Sequence, residues 1–150
     1  MAKSLEIEDL HLFAHYFGAL AGVIGTTAFS SVLDISRQFS SVIGHRTSLY
    51  QYGSNEIINS RVAVAAGGGN SIDILSEVAA EGINTFITGI SVLNDHSRAS
   101  HEYAQANKIN LLGGTHYSTE KFACIAMCDY FKKLGLPCEF IEDIPVMEDM

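Results

Sequence analysis

Positive charge is scarce in this chain, with 9 basic side chains against 17 acidic ones and a formal net charge of −8. That shortage excludes a free-standing nucleic-acid binder, because a phosphate backbone demands a basic surface. Proline is scarce too: 2 residues among 150, in a chain that is 47% hydrophobic, a composition that argues against disorder. The three cysteines, Cys124, Cys128 and Cys138, are too few and too odd in number for a disulfide scaffold. The opening MAKSLEIEDL has no basic flank followed by an apolar run, so no secretory signal is expected, and a reduced, cytoplasmic protein fits best. No apolar run is long enough to cross a bilayer. The best candidate, Phe17 to Val32, is broken by Gly18, Gly22 and Gly25 and falls short of the run of about 20 residues needed.

What is present is alternation. The length suits one compact domain. Phe17 to Ile24 reads as a strand, and Ser31 to Ile43 carries apolar residues at helical spacing up to a stop at Gly44. Ser48 to Tyr52 is a short strand candidate. Arg61 to Ala66 is a β-branched run typical of a buried strand, followed by Gly67-Gly68-Gly69-Asn70-Ser71 and a helix from Ile72 that closes at Gly82. Asn84 to Thr88 is a strand, Asp95 to Ala106 a helix, and Ile109 to Leu112 a strand. A long helix spans His116 to Leu134, and Cys138 to Ile141 is a last short strand candidate. The acidic end IEDIPVMEDM (residues 143–150 above all) reads as a solvated tail. Strands alternating with helices imply an α/β fold: a mixed, largely parallel sheet flanked by helices.

Two glycine-marked turns could carry chemistry. A strand entering Gly67-Gly68-Gly69 and then a helix is a layout in which backbone N–H groups meet an anion. It matches neither common nucleotide fingerprint, and a turn that merely borders a pocket is the better reading. The second turn is Gly113-Gly114-Thr115-His116. His116 and Glu120, four apart, lie within about 40° on one helical face, in the first turn after a strand's carboxyl end. An imidazole and a carboxylate so placed can both reach one cation, of the zinc, manganese, iron or cobalt kind. On spacing alone a surface ion pair or a cap is the better reading. Cys124 and Cys128 continue the register and raise a His/Glu/Cys/Cys site. The drift of about 40° per step separates the ends by about 120°, so core packing beside Phe122, Ile125, Ala126, Phe131 and Leu134 is the better reading. His11 and His15 could pair on a metal, but their apolar surroundings favour packing or an interface. His45 reads as part of a solvated turn. His96 has a plausible place near the carboxyl edge of the sheet, and it does not share a face with His101.

The blocks RVAVAAGGGNSIDIL, the strand to Thr88-Gly89, and GGTHYSTEKFA resemble, in order and spacing, the carboxyl-terminal half of the Nif-three-like family. These are dinuclear metal-centre proteins, also called GTP cyclohydrolase I type 2 homologues. The resemblance covers residues 18–142, with residues 1–17 similar to the family's connecting segment. It implies that His116 and Glu120 are metal ligands in a centre of two divalent ions. It further implies a small-molecule, nucleotide-type substrate near the Gly67 to Ser71 turn, and a homo-oligomeric assembly. The family's other ligands, from a His-His pair and an Asn-Leu-Asp segment, have no counterpart here, and Ile90 stands after Gly89 where members often carry an acid. Two ligands on one helix hold metal weakly. The expectation is therefore a piece of a larger protein, inactive alone, that needs a complementing amino-terminal half. A split protein, or an offshoot that has abandoned the metal and serves as an oligomerisation or docking scaffold, are the alternatives.

Overall fold

The computed structural model describes residues 1–150. Ten elements follow in order: β1 (Glu8–Tyr16), β2 (Ala19–Thr26), α1 (Val32–Ile43), β3 (Ser48–Tyr50), β4 (Arg61–Ala65), α2 (Ile72–Ala80), β5 (Thr85–Thr88), α3 (Arg98–Ala106), β6 (Asn110–Gly113) and α4 (His116–Lys133), with three short 3₁₀ turns besides. They build one six-stranded sheet in the order β1-β2-β4-β5-β6-β3. The expectation of an α/β fold with a mixed sheet flanked by helices holds, but the sheet is only partly parallel rather than largely so. Parallel pairing is confined to β4–β5 and β5–β6, while β1–β2, β2–β4 and β3–β6 are antiparallel.

The central strands are apolar on both faces because both faces are covered. Ala63, Ala65, Phe86 and Leu111 face one layer with Leu75 and Val78 of α2 and Ala104 of α3. Val62, Val64, Ile87 and Leu112 face the other, with Val32, Ile35, Phe39 and Ile43 of α1. α1 and α2 begin where their capping serines say they should, whereas α3, expected from Asp95, begins at Arg98 with no side-chain cap. The Ser31 and Ser71 hydroxyls accept from the backbone N–H of Asp34 and Ile74, and Gly44 closes α1 in the left-handed conformation at φ 82°.

Several boundaries differ from expectation. Residues 8–16, read as part of a connecting segment, are β1, paired along the length of β2. The hairpin turns at Phe17 and Gly18, both at positive φ, so the second strand starts at Ala19 rather than Phe17. Glu77 of α2 fastens β1 by accepting from the backbone N–H groups of Ala14 and His15. His15 is thereby committed to Glu77, whose Oε2 lies 3.1 Å from its Nδ1. Cys138 to Ile141 forms no strand. The distal part of α4 is not packed in a core either. Ile125, Met127, Tyr130, Phe131 and Leu134 are exposed, and Cys128 alone is buried beyond its first turn.

His101 is buried at 3% exposure, its Nε2 3.0 Å from the carbonyl of Ser91 and its Nδ1 2.8 Å from the Tyr52 hydroxyl. Burial lowers its pKa, against the smaller opposing pull of the Ser91 carbonyl. A histidine depressed in the fold binds its proton more readily when unfolded, so stability rises with pH through the window between its folded value and the ordinary value of about 6.5. The midpoint of thermal unfolding is therefore expected to drop as pH falls below about 6.5. That dependence should shrink in His101→Gln, as measured by thermal melts across pH.

Candidate metal centre

The carboxyl ends of β4, β5 and β6 are stitched together by backbone. The carbonyl of Gly67 accepts from the N–H groups of Gly89 (3.0 Å) and Ile90 (2.9 Å), and that of Gly89 accepts from Gly114 (3.2 Å) and Thr115 (3.0 Å). Side-chain hydroxyls complete the seam. Gly67 N–H donates to Thr119 Oγ1 at 2.9 Å, and that hydroxyl donates back to the carbonyl of Thr115 at 2.9 Å.

Thr115 is the strained point. It sits at φ 71°, ψ 150°, a region almost reserved for glycine that costs a side-chain-bearing residue about 1–3 kcal/mol. Three anchors hold it there: its N–H on Gly89, its carbonyl on Thr119, and its hydroxyl, which caps α4 by accepting from Ser118 N–H at 3.1 Å. The consequence is the sharp exit that starts α4 directly over the strand ends.

His116 and Glu120 then project from the first turn of α4. His116 Nε2 and Glu120 Oε1 lie 3.0 Å apart, each side chain about half exposed at 47% and 51%. Gly67, at φ +70°, passes so close that a Cβ there would overlap the Glu120 carboxylate and stand 3.0 Å from His116 Nε2. The glycine is what lets the β4 turn approach the pair. At 3.0 Å the two atoms are within hydrogen-bonding distance, and both converge on the space a shared cation would take.

Residues that sequence reasoning missed surround this point. Asp149, in the segment read as a solvated tail, returns to the site: its Oδ2 accepts from His116 N–H at 2.8 Å, and its carbonyl accepts from Ser91 and Val92. A carboxylate at a helix N-terminus is favourable. His45, read as part of a solvated turn, hydrogen-bonds Ser118 Oγ through Nε2 at 2.6 Å while its Nδ1–H donates to the Arg46 carbonyl. Contacts spanning 33 and 73 residues leave no local sequence signal. His96 does reach the carboxyl edge, lining a cleft with Gly68, Asn70 and Ile90.

The cysteines do not join the pair. Cys124 is exposed, and Cys128 turns to Cys138, with the sulfurs 2.9 Å apart. Its hydrogen bond with Cys138, with burial adding to it, pushes the Cys128 thiol up and away from the thiolate that a metal needs. No group of three or more His, Cys, Asp or Glu side chains gathers around one point. The donor set therefore fits a metal centre in part: two converging groups of mixed N/O character, short of the three or four protein donors such a centre takes.

A family model described as Duf34/NIF3 (NGG1p interacting factor 3) matches residues 1–145. The chain belongs to the Duf34/NIF3 family. Its relatives include a "GTP cyclohydrolase 1 type 2 homolog" of Deinococcus radiodurans, 29% identical over 143 residues, covering 94% of this chain and 51% of that protein. A protein of the same description from Borreliella burgdorferi is 28% identical over 130 residues, covering 85% of this chain and 47% of the relative. The chain thus spans about half the length of the curated relatives it matches. Its fold is similar to that of the solved protein ybgI, of unknown function, with a TM-score of 0.74 at 18% identity, over 97% of this chain and 55% of that one. TTHA1606 from Thermus thermophilus superposes with a TM-score of 0.71 at 19% identity, over 97% and 53%. The Duf34/NIF3 fold accounts for the hairpin too, since both likenesses extend over nearly the whole chain.

Proposed function

We propose that this Duf34/NIF3 chain contributes one side of a two-metal hydrolytic centre, with His116 and Glu120 as ligands and the remaining donors supplied by a complementing half. The observation that carries this reading is the convergence of His116 Nε2 and Glu120 Oε1 at 3.0 Å beneath a turn stripped of side chain at Gly67. His116 would bind as the neutral imidazole through Nε2, and Glu120 as a terminal or bridging carboxylate. Bound divalent ions would supply Lewis acidity and a water acidic enough to act as hydroxide near neutral pH. This chain's own part is to orient. Asp149 and the Thr115 cap fix the first turn of α4, and Thr119 ties that turn to Gly67, so the backbone that carries the two ligands is held in place. The relatives' description as GTP cyclohydrolase 1 type 2 homologues makes a nucleotide the first substrate to assay.

A second reading has its own observation. Apolar side chains are exposed on the hairpin, including Leu12 (64%) and Phe17 (93%), and along α4 and beyond it, including Leu136 (51%) and Ile141 (85%). Surfaces of this kind mark interaction sites, so a non-catalytic oligomerisation or partner-docking module is the alternative. No helix is long and apolar enough to cross a membrane. The test is GTP turnover by the chain alone, by the chain mixed with the His-His-containing half of a relative, and by the same mixture carrying His116→Ala. Turnover only in the unaltered mixture supports the metal reading. A stable mixed assembly whose turnover is nil, or is indifferent to His116, supports the scaffold.

A further inference from the structure

Next to the Gly67–Gly68 turn lies a cleft of about 210 Å³, lined by Gly68, Asn70, Ile90, Val92 and His96 among others. Its buried side-chain nitrogen and oxygen atoms are hydrogen-bonded, with one exception. Asn94 Oδ1 accepts from the N–H groups of His96 and Ser97, and Ser97 Oγ binds the Val92 carbonyl and Asn94 N–H. The exception is Asn70. Both its amide nitrogen and its amide oxygen are out of contact with solvent and have no hydrogen-bond partner. Burying such groups unpaired is costly, because the water they have lost is not replaced by a partner. Its backbone carbonyl, by contrast, accepts from Ser100 Oγ at 3.2 Å.

We propose that Asn70 is a ligand-recognition residue, and that the cleft takes a small, neutral, planar ring with a lactam edge, an N–H beside a C=O. A side-chain amide offers one donor and one acceptor in one plane, which that edge matches in two hydrogen bonds. The apolar faces of Ile90 and Val92 suit a flat ring. Gly68 leaves the opposite wall open, since a Cβ there would meet nothing nearer than Ile90 Cδ1 at 4.0 Å. No lysine or arginine lines the cleft, which disfavours a phosphate in this position. A rotation of the Asn70 side chain would bring the amide into the cleft and give both atoms partners on the ligand. The inference deepens the proposed function by naming the chemistry that would sit beside the His116–Glu120 pair, yet its test needs no metal.

The experiment uses the full chain, stripped of metal with a chelator, and follows ¹⁵N–¹H correlation spectra during titration with uracil, with 1,3-dimethyluracil (the same ring without its N–H groups) and with orthophosphate. Uracil should shift the Asn70 side-chain NH₂ and the backbone amides of Ile90 and Val92 saturably. Dimethyluracil should bind at least tenfold more weakly, and Asn70→Ala should lose at least tenfold for uracil with an otherwise unchanged spectrum. Equal binding of the two rings, preferential binding of orthophosphate, or no saturable shift at Asn70 (an ordered water being its only partner) would overturn the proposal. The comparison of the two rings stands on the unaltered protein even if the Asn70 variant unfolds. Failure here leaves metal binding by His116 untouched, so the two readings fall separately.

Discussion

Replacing Gly89 by alanine is expected to lower the unfolding free energy by about 3 kcal/mol, the upper part of the range for forcing extra atoms into a packed site. The added Cβ would stand 2.6 Å from the carbonyl of Gly67, 2.6 Å from Thr119 Oγ1 and 2.8 Å from the carbonyl of Thr115. Two of those atoms are backbone, and the third is a hydroxyl tied to Gly67 N–H and the Thr115 carbonyl, so no flexible side-chain end can move aside cheaply. The seam between the ends of β4, β5 and β6 must open, and with it the approach of Gly67 to the ligand pair. Gly82→Ala is the control. It sits at φ +66° with nothing within 4 Å of a Cβ, so only the left-handed backbone is penalised, at about 1 kcal/mol. Urea denaturation of the two variants checks the ordering, and a Gly89→Ala midpoint no lower than that of Gly82→Ala would contradict the role given to the seam.

The second large effect concerns metal. His116→Ala and Glu120→Ala are each expected to reduce zinc or cobalt affinity about 100-fold or more in the assembled centre, since removing a direct ligand costs more than the 10–100-fold typical of outer-shell partners. Stability should change little, because both side chains are about half exposed and the pair contributes at most about 1 kcal/mol. Cys124→Ser and Cys128→Ser are expected to leave affinity unchanged, because neither cysteine gathers with the pair around one point. Competitive titration against a chromophoric chelator measures all four. A cysteine variant that loses metal as severely as His116→Ala would revive the four-ligand His/Glu/Cys/Cys arrangement.

Much of this architecture is legible in sequence, because it is written in local signals. Ser31, Ser71 and Gly44 mark helix ends by capping chemistry, and the runs RVAVA and NLLG are apolar on both faces because the central strands are buried on both. The His116–Glu120 pair is visible because helical spacing is itself geometry. What stayed hidden depends on distance in the chain. β1 is paired along an antiparallel hairpin whose register irregularity between Glu8 and His11 and positive φ at Asp9 and Ala14 blur the alternation. Asp149 looks like part of an acidic tail until the chain is seen to return to the N-terminus of α4. The distal residues of α4 read as core from their apolar content, yet they are exposed. Composition reports that an apolar surface exists, not whether this chain or another covers it. Thr115 is the clearest case: a residue in a glycine-like conformation, held by partners at Gly89 and Thr119 that no spacing rule connects.

The most direct test is the metal content of the chain after equilibration with zinc, manganese or cobalt and gel filtration, alone and with the His-His-containing half of a relative. Less than one tightly held ion is expected per chain alone and two per assembled centre, with neither retained when His116 is alanine. Two stoichiometric, tightly bound ions in the chain alone would contradict the need for a complementing half.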